Sequence, residues 1–389
     1  MTLLNLALVQ EALKEYYLEG LRYQLNEEAG VFLAQMERDD QSVEGSKIVM
    51  ALRYGRNGGV GNRADDGDLP TPNSRKTKQA KWETKNTFAR FQITDKTVKS
   101  SRSNAGAFAN LLEQEIADCE TDVKQDLSRQ TLGDGSGILA KATGVKVGST
   151  VPVDTAMYLA EGMRVDIWDT SGAVWLNQNV TIDAVDDSNP AAQTITLSAV
   201  GVIAADDIFY VSGNKGIELT GLTAVFEAAT IYGLTRADYP VLKAQRTNIA
   251  GEIAEVKIQK AIDDSERKAG GKINFLHCSY GVRRGYQNLL TLQKRLVNTM
   301  KLKGGWDAIS YNGIPLAADK YIKDGKLYCL DLNDFKFYHM GDYEWLDADG
   351  AMLSRVANKA AWEATLVRYC DIGCQKPRGQ IELYGITEH

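Results

Sequence analysis

NAGAFANLLEQEIADCETDVKQDLSRQTL (104–132), closed by GDGSG (133–137), is the stretch from which the architecture follows. Phe108, Leu112, Ile116, Cys119, Val123 and Leu127 recur at steps of four and three, while Glu113, Glu120, Asp122, Lys124, Asp126 and Arg129 take the remaining positions. That is the period of one amphipathic helix. Asn104 suits the N-cap, and Gly133 suits a left-handed residue just beyond the last turn. At ~1.5 Å per residue such a helix is about 42 Å long, enough to brace a shallow, plate-like protein as a spine.

A chain of 389 residues has room for about two to three domains. With 44% apolar and 25% charged residues it is an ordinary globular composition, which excludes wholesale disorder. No apolar run reaches the ~18 residues of a membrane span, and the opening MTLLNLALVQEALKEYY has neither a basic leader region nor a cleavage site. Retention in the cytoplasm where the chain is made is therefore expected. The formal charge of −6 limits any contact with nucleic acid to a weak or local one, because gripping phosphates takes a basic face. Cys119, Cys278, Cys329, Cys370 and Cys374 lie mostly in apolar runs, as reduced core thiols do, and the CDIGC spacing has no second Cys or His pair to complete a zinc site.

N-terminal to the spine, residues 3–37 carry Leu6, Val9, Leu13, Tyr17, Leu21, Leu25 and Phe32 near one helical face. Too short to bury that stripe alone, the segment reads as an arm lying on something else. KIVMALRY (47–54) and AKWETKNTFARFQITDKTV (80–98) read as two strands around a Gly-, Asp- and Pro-dense tip. Such a pair forms a projecting hairpin that settles on a neighbour, since an isolated hairpin is marginal in water. After the spine, alternating runs at Met163–Ile167, Val180–Ile182, Ile195–Leu197 and Ile208–Tyr210, separated by DTSG, DDSNP and AADD, describe a small all-β insertion. From Leu219 onward the texture is mixed: LTAVFEAATIYGL, NIAGEIAEVKIQKAIDDSERKAGG and YGVRRGYQNLLTLQKRL read as helices. KINFLHC, ISYNGIPLAAD and GKLYCLDL read as strands. A last strand pair, AWEATLVRYCDIGC and GQIELYGI, is expected to return beside the spine.

Three motifs invite chemistry and fail on context. GVGNRA at the tip is followed by DDGDLPTP where a dinucleotide site needs a helix. HCSYG (277–281) places Ser279 as a nucleophile elbow would, but His277 stands where the strained turn wants glycine, and only His339 and His389 remain as bases; Ser279 is better read as a helix cap. Asp65, Asp66 and Asp68 lack the spaced ligands of a calcium loop. The basic stretch Arg283, Arg284, Lys294, Arg295, Lys301 and Lys303 reads as a solvated face or a subunit contact. The six tryptophans are scattered anchors, and no cofactor or metal is expected.

LSRQTLGDGSGILA (127–140), YNGIPLAADKYIKDGKLYCLDLNDF (311–335) and KPRGQIELYGI (376–386), in this order behind a helical arm and a long-tipped hairpin, resemble the major capsid proteins of tailed phages. The resemblance implies an α+β protein of the Hong Kong 97-type (HK-97) fold. Its parts would be an N-terminal arm (1–45), an E-loop hairpin (46–99), a P-domain (100–146 and 355–389) holding the spine 104–132, an inserted β-rich domain (147–213) and an A-domain (214–354). It also implies a non-enzymatic structural protein that self-assembles into pentamers and hexamers of an icosahedral shell. That shell would enclose phage DNA in the virion and be built in the host cytoplasm with a separate scaffolding protein, a portal and a decoration protein. On the arm, Trp82, Phe88 and Arg90 are expected to meet a neighbouring spine, with Glu113, Glu120 and Asp126 as acidic partners. Two alternatives share parts of this reading: an encapsulin-like compartment shell, and a soluble α/β hydrolase using Ser279.

Overall fold

The structure is a computed structural model and describes residues 30–55, 57–71, 76–96, 105–198, 201–292, 299–346 and 353–388. The stripe expected over residues 6–25, the cap at Asn104 and the pair Lys294 and Arg295 lie outside them. The chain divides into two compact units, one of residues 129–224 with 320–323 and one of the remainder.

The spine helix runs Ala105–Leu132, 28 residues, of which all but the last four belong to the larger unit. Ile116, Val123 and Leu127 of the expected stripe are buried and Cys119 is half-buried, so the period of the sequence sets the face that packs. Its end differs from expectation. Gly133 is not left-handed; Gly135 and Gly137, at φ 79° and 81°, take that conformation, and Gly133 N–H instead donates to Gln130 O at 3.1 Å, the tighter three-residue closure of a last turn.

The chain enters this unit through a short helix, Val31–Gln35, whose Val31, Phe32 and Leu33 are buried. Helix over the whole of 3–37 is corrected at its end: Met36 is extended, and Glu37–Asp39 forms a strand parallel to Phe335–His339. Lys47–Arg53 and Thr77–Glu83 pair antiparallel along their full length. The strand expected over 80–98 breaks at Thr84, where the inward phase slips by one residue. Ala80 and Trp82 face in before the break; Phe91 and Ile93 face in after it, on a second strand, Lys85–Thr94. The hairpin also has more support from its own chain than an isolated arm. Ile48, Met50, Leu52 and Ala80 are buried, and Trp82 lies 4.3 Å from the Tyr232 ring and 5.8 Å from that of Tyr338.

Two sheets organise the unit. In the first, Ala361–Cys374 is the hub, flanked by Phe335–His339, Glu344–Trp345, Ser354–Arg355 and, over ten residue pairs, Lys85–Thr94. The second has seven strands in the order Gln245–Gly251, Ile381–Ile386, Leu327–Leu330, Phe275–Cys278, Ile314–Ala318, Asp307–Tyr311, Thr299–Lys301. Helices Glu255–Ala269 and Tyr280–Leu292 pack on it through Ile258, Ala261, Val282, Tyr286 and Leu290. The final two strands therefore do not pair with each other: Ile381–Ile386 is inserted between Gln245–Gly251 and Leu327–Leu330. LTAVFEAATIYGL is helical only over Leu222–Glu227. A two-residue turn with Tyr232 and Gly233 at φ 52° and 73° then closes a small hairpin, Thr230–Ile231 with Leu234–Thr235. The start of NIAGEIAEVKIQKAIDDSERKAGG, residues 248–251, is not helical but the end of a strand, Gln245–Gly251, that precedes the helix Glu255–Ala269.

The smaller unit is a six-stranded antiparallel sheet in the order Ile138–Lys141, Ile208–Val211, Arg164–Trp168, Trp175–Asp186, Thr194–Leu197, Thr150–Pro152. Val151, Val165, Ile167, Ile182, Ile195 and Phe209 form a buried apolar core.

Asp334 ends the turn leading into Phe335 and accepts from Gln380 Nε2 at 3.1 Å. Burial, then the neighbouring Asp331, pushes its carboxyl up to about 6. The native state thus holds a proton that the unfolded chain releases near pH 4, so stability falls as pH rises from about 4 to 6. Thermal melts across that window should show a smaller decline with pH for Asp334→Asn than for the wild type.

Candidate assembly interface

Lys85–Thr94 has a strand partner on one side only, Ala361–Cys370, and no strand pairs with its other edge among the described residues. A ten-residue edge leaves a row of backbone donors and acceptors available to another chain. Alternation places Asn86, Phe88, Arg90, Gln92 and Thr94 on the more exposed face, and Phe88 is 56% exposed. Beside this strand opens a cleft of about 450 Å³ whose opposite wall is the spine helix, presenting Glu115, Asp118, Asp122 and Asp126 at helical spacing with Cys119 and Val123 between them.

Four carboxylates therefore face one guanidinium across the cleft, and Arg90 itself is engaged by Glu363 on the paired strand, which also accepts from Gln92 Nε2. The surplus negative charge marks the local electrostatics. Partial desolvation and the neighbouring Asp118 hold the Asp122 carboxyl above its usual range. Burial, with Asp122, Glu115 and Glu120 nearby, pushes the Cys119 thiol up to about 11. A basic, extended segment is the chemistry that this wall accepts.

Of the side chains singled out in the sequence, Phe88, Arg90 and Asp126 line this cleft. Trp82 lies apart in the aromatic cluster with Tyr232 and Tyr338, and Glu120 is half-buried outside the cleft lining. The Glu113 side chain is outside the described residues. Glu115, Asp118 and Asp122 were missed, although their spacing to Asp126 is visible in the sequence beside the apolar stripe. The alternation of the strand left Phe88 and Phe91 equally eligible to face inward, and only the slip at Thr84 separates them.

The chemical motifs are occupied by structure. Ser279 is 1% exposed, and its hydroxyl donates to Glu388 rather than capping the helix. His277 is fully buried between Phe32 and Phe275, and desolvation lowers its pKa and keeps it neutral. Cys370 and Cys374 are fully buried thiols, and burial pushes Cys370 up to about 11. Among the described residues no group of His, Cys, Asp and Glu could hold a metal ion.

A long helix, an edge-exposing sheet hubbed on one long strand, a seven-stranded mixed domain and an inserted β unit together define the HK-97-type capsid fold. The particular likeness is to the Cyanophage A-1(L) capsid asymmetric unit, at a TM-score of 0.57 and 11% identity, covering 93% of each chain. Also similar are the holo-SrpI encapsulin from Synechococcus elongatus (TM-score 0.47, 9% identity, 91% of this chain and 87% of that one) and the capsid of a native GTA particle (0.46, 10%, 92% and 90%). No protein-family model matches the sequence, and no curated protein matches it.

Proposed function

We propose that this chain is the major shell protein of a phage head. Copies would associate into rings of five and six that close around packaged DNA, within a virion built in the host cytoplasm. The observation that carries the reading is the unpaired ten-residue edge of Lys85–Thr94 beside an acidic cleft, on a fold shared with a phage capsid. A heterologous contact repeated around a ring uses one such surface per copy and closes without needing an active site. In this scheme the parts read from the sequence would be arm 1–45, hairpin 46–99, P-domain 100–146 with 355–389, insertion 147–213 and A-domain 214–354, although Ile138–Lys141 pairs within the inserted sheet and Ile381–Ile386 within the seven-stranded one. Trp82, Phe88 and Arg90 then serve the side of the contact that meets a neighbour's Glu113, Glu120 and Asp126. A separate scaffold, a portal and a decoration protein complete the set of partners.

Negative-stain microscopy and light scattering of the purified chain test the proposal. Hollow shells, or separate pentamers and hexamers, are the expected result. A chain that stays a monomer or dimer even when co-expressed with a candidate scaffold overturns it. DNA rather than a protein cargo inside particles from infected cells separates a phage head from a compartment.

Arg90→Glu should lower shell yield severalfold while moving the unfolding midpoint of the unassembled chain little, because a half-exposed Arg–Glu pair contributes about 1 kcal/mol or less. Unchanged assembly would remove Arg90 from the interface.

A further inference from the structure

Arg90 is held by Glu363, Arg129 by Glu218, Arg246 by Glu227 and Glu382, and Arg267 by Asp264, while Arg236 donates to the carbonyls of Phe226 and Val225. Arg53 and Arg378 differ. Among the described residues neither guanidinium has an ion pair or a hydrogen bond, and both line one cleft of about 390 Å³ with Tyr54, Gly55, Pro240 and Val241. Three segments of the larger unit build its frame. Arg53 ends the strand Lys47–Arg53, Pro240 opens the tight turn Pro240–Leu242, and Arg378 is the middle residue of the turn Pro377–Gly379. Proline at the head of each turn fixes its backbone, and Arg378 O accepts from Gln245 Nε2 at 3.0 Å. Tyr54 is 43% exposed, and its ring meets that of Tyr239 edge to face, centroids 5.4 Å apart. Lys76 crosses Gly55 at the rim: a Cβ on Gly55 would lie 2.8 Å from Lys76 Cβ, so the bare backbone admits this third cationic side chain.

No acidic side chain lines the cleft. Along the chain the nearest is Asp238, exposed and two residues before Pro240, and the next, Glu382, is already engaged by Arg246 and Lys326. Two guanidiniums without a counter-charge repel each other, and an anion seated between them relieves that repulsion. Phosphate suits the donors better than carboxylate does. Two guanidinium forks and the Tyr54 hydroxyl exceed the about four lone-pair sites of a carboxylate, whereas a phosphate group presents more oxygens, spread tetrahedrally. The formal charge of −6 confines any contact with nucleic acid to a local one, and a small unpaired arginine cleft is local. We propose that this cleft binds a phosphate group, with Arg53 and Arg378 on its oxygens and the Tyr54 hydroxyl as a further donor. Resting on the shell reading above, the source in a filled particle is the backbone of the enclosed DNA; contacts of this kind hold the duplex without reading its sequence.

Arginine-selective labelling with phenylglyoxal, read by mass spectrometry on the full unassembled chain, tests the site. A short DNA duplex at low salt, or inorganic phosphate, should slow the labelling of Arg53 and Arg378 severalfold and leave the exposed Arg164 unchanged. Protection by the duplex assigns the phosphate to DNA, and protection by inorganic phosphate alone assigns it to a free ion; both support a phosphate site. Where the duplex binds, Arg53→Gln and Arg378→Gln should each weaken binding severalfold in fluorescence anisotropy and reduce the slope of log affinity against log salt by about 1, while Arg53→Lys keeps most of that slope. Both positions are exposed, so the variants should melt with the wild type. Labelling of the pair unchanged by either probe, or equal protection by a glutamate-rich peptide, overturns the proposal. Protection already complete in DNA-free shells also overturns it, because a neighbouring copy then fills the cleft. None of these results touches the shell reading. A wild-type chain that forms no shells or rings overturns that reading separately, and the labelling still decides the cleft.

Discussion

Arg129→Met is expected to destabilise the inserted unit by about 3–5 kcal/mol, the cost of leaving one member of a buried ion pair without its partner. Arg129 sits in the last turn of the spine helix, where Nη1 donates to Glu218 Oε2 at 2.9 Å and Nη2 to Glu218 Oε1 at 2.6 Å. The side chains are only 7% and 3% exposed. Such a two-pronged contact matches the planar guanidinium to the planar carboxylate, and a lysine in its place would keep the charge but lose the geometry. Calorimetric unfolding of Arg129→Met, Glu218→Leu and the double variant separates the desolvation cost from the net value of the pair. The double variant should recover most of the loss, because two apolar side chains leave no buried charge. Single and double variants with equal midpoints would show that the pair is not desolvated.

Gly221→Ala should cost about 3 kcal/mol, although its backbone conformation is open to any residue. A Cβ at this position would lie 2.4 Å from Gln130 O, 2.5 Å from Gly133 O and 2.8 Å from Gly133 N, all backbone atoms that no rotamer change can move aside. The close approach has a purpose. The last carbonyls of a helix have no partner within it, and here Thr223 Oγ1 donates to Leu132 O at 2.6 Å while Ala224 N donates to Gly133 O at 3.4 Å. Gln130 returns a bond by accepting from Leu219 N at 3.3 Å. Gly213→Ala is the control. At φ 80° with no atom near the added methyl, it should cost only about 1–2 kcal/mol, the strain of a left-handed residue. If thermal melts rank the two substitutions the other way round, the segment 219–224 does not lie against the helix end as described.

Much of the fold follows from local pattern. The steps of four and three from Ile116 to Leu127 set the spine and its buried face, and the β-alternation after Val147 announces the inserted sheet. Gly270, left-handed at φ 62°, ends its helix where the sequence reads an end. Such signals are local because each depends on which side of one element meets water. ISYNGIPLAAD, read as one strand, is by contrast a hairpin of Asp307–Tyr311 with Ile314–Ala318, turned by Asn312 and Gly313 at φ 48° and 82°, since two successive positive φ angles favour that residue pair.

Other features required the assembled structure. Arg129 reads as a solvent-facing residue by helical spacing, and only the return of residue 218 to the helix end buries it. The helical reading of 222–234 holds only to Glu227, because Tyr232–Gly233 must turn and pair Thr230–Ile231 with Leu234–Thr235. AWEATLVRYCDIGC and GQIELYGI are adjacent in sequence and part into different sheets, since strand pairing is chosen by edges left open hundreds of residues earlier. The cleft shows the same division. The acidic ladder from Glu115 to Asp126 can be read from spacing alone, but that it faces Phe88 and Arg90, and that the Lys85–Thr94 edge is unpaired, depends on long-range packing. Period and turn chemistry act between residues a few positions apart, so the sequence by itself determines the elements and their buried faces. The site is a juxtaposition of elements distant in the chain, and the free energy that selects it arises only when they pack.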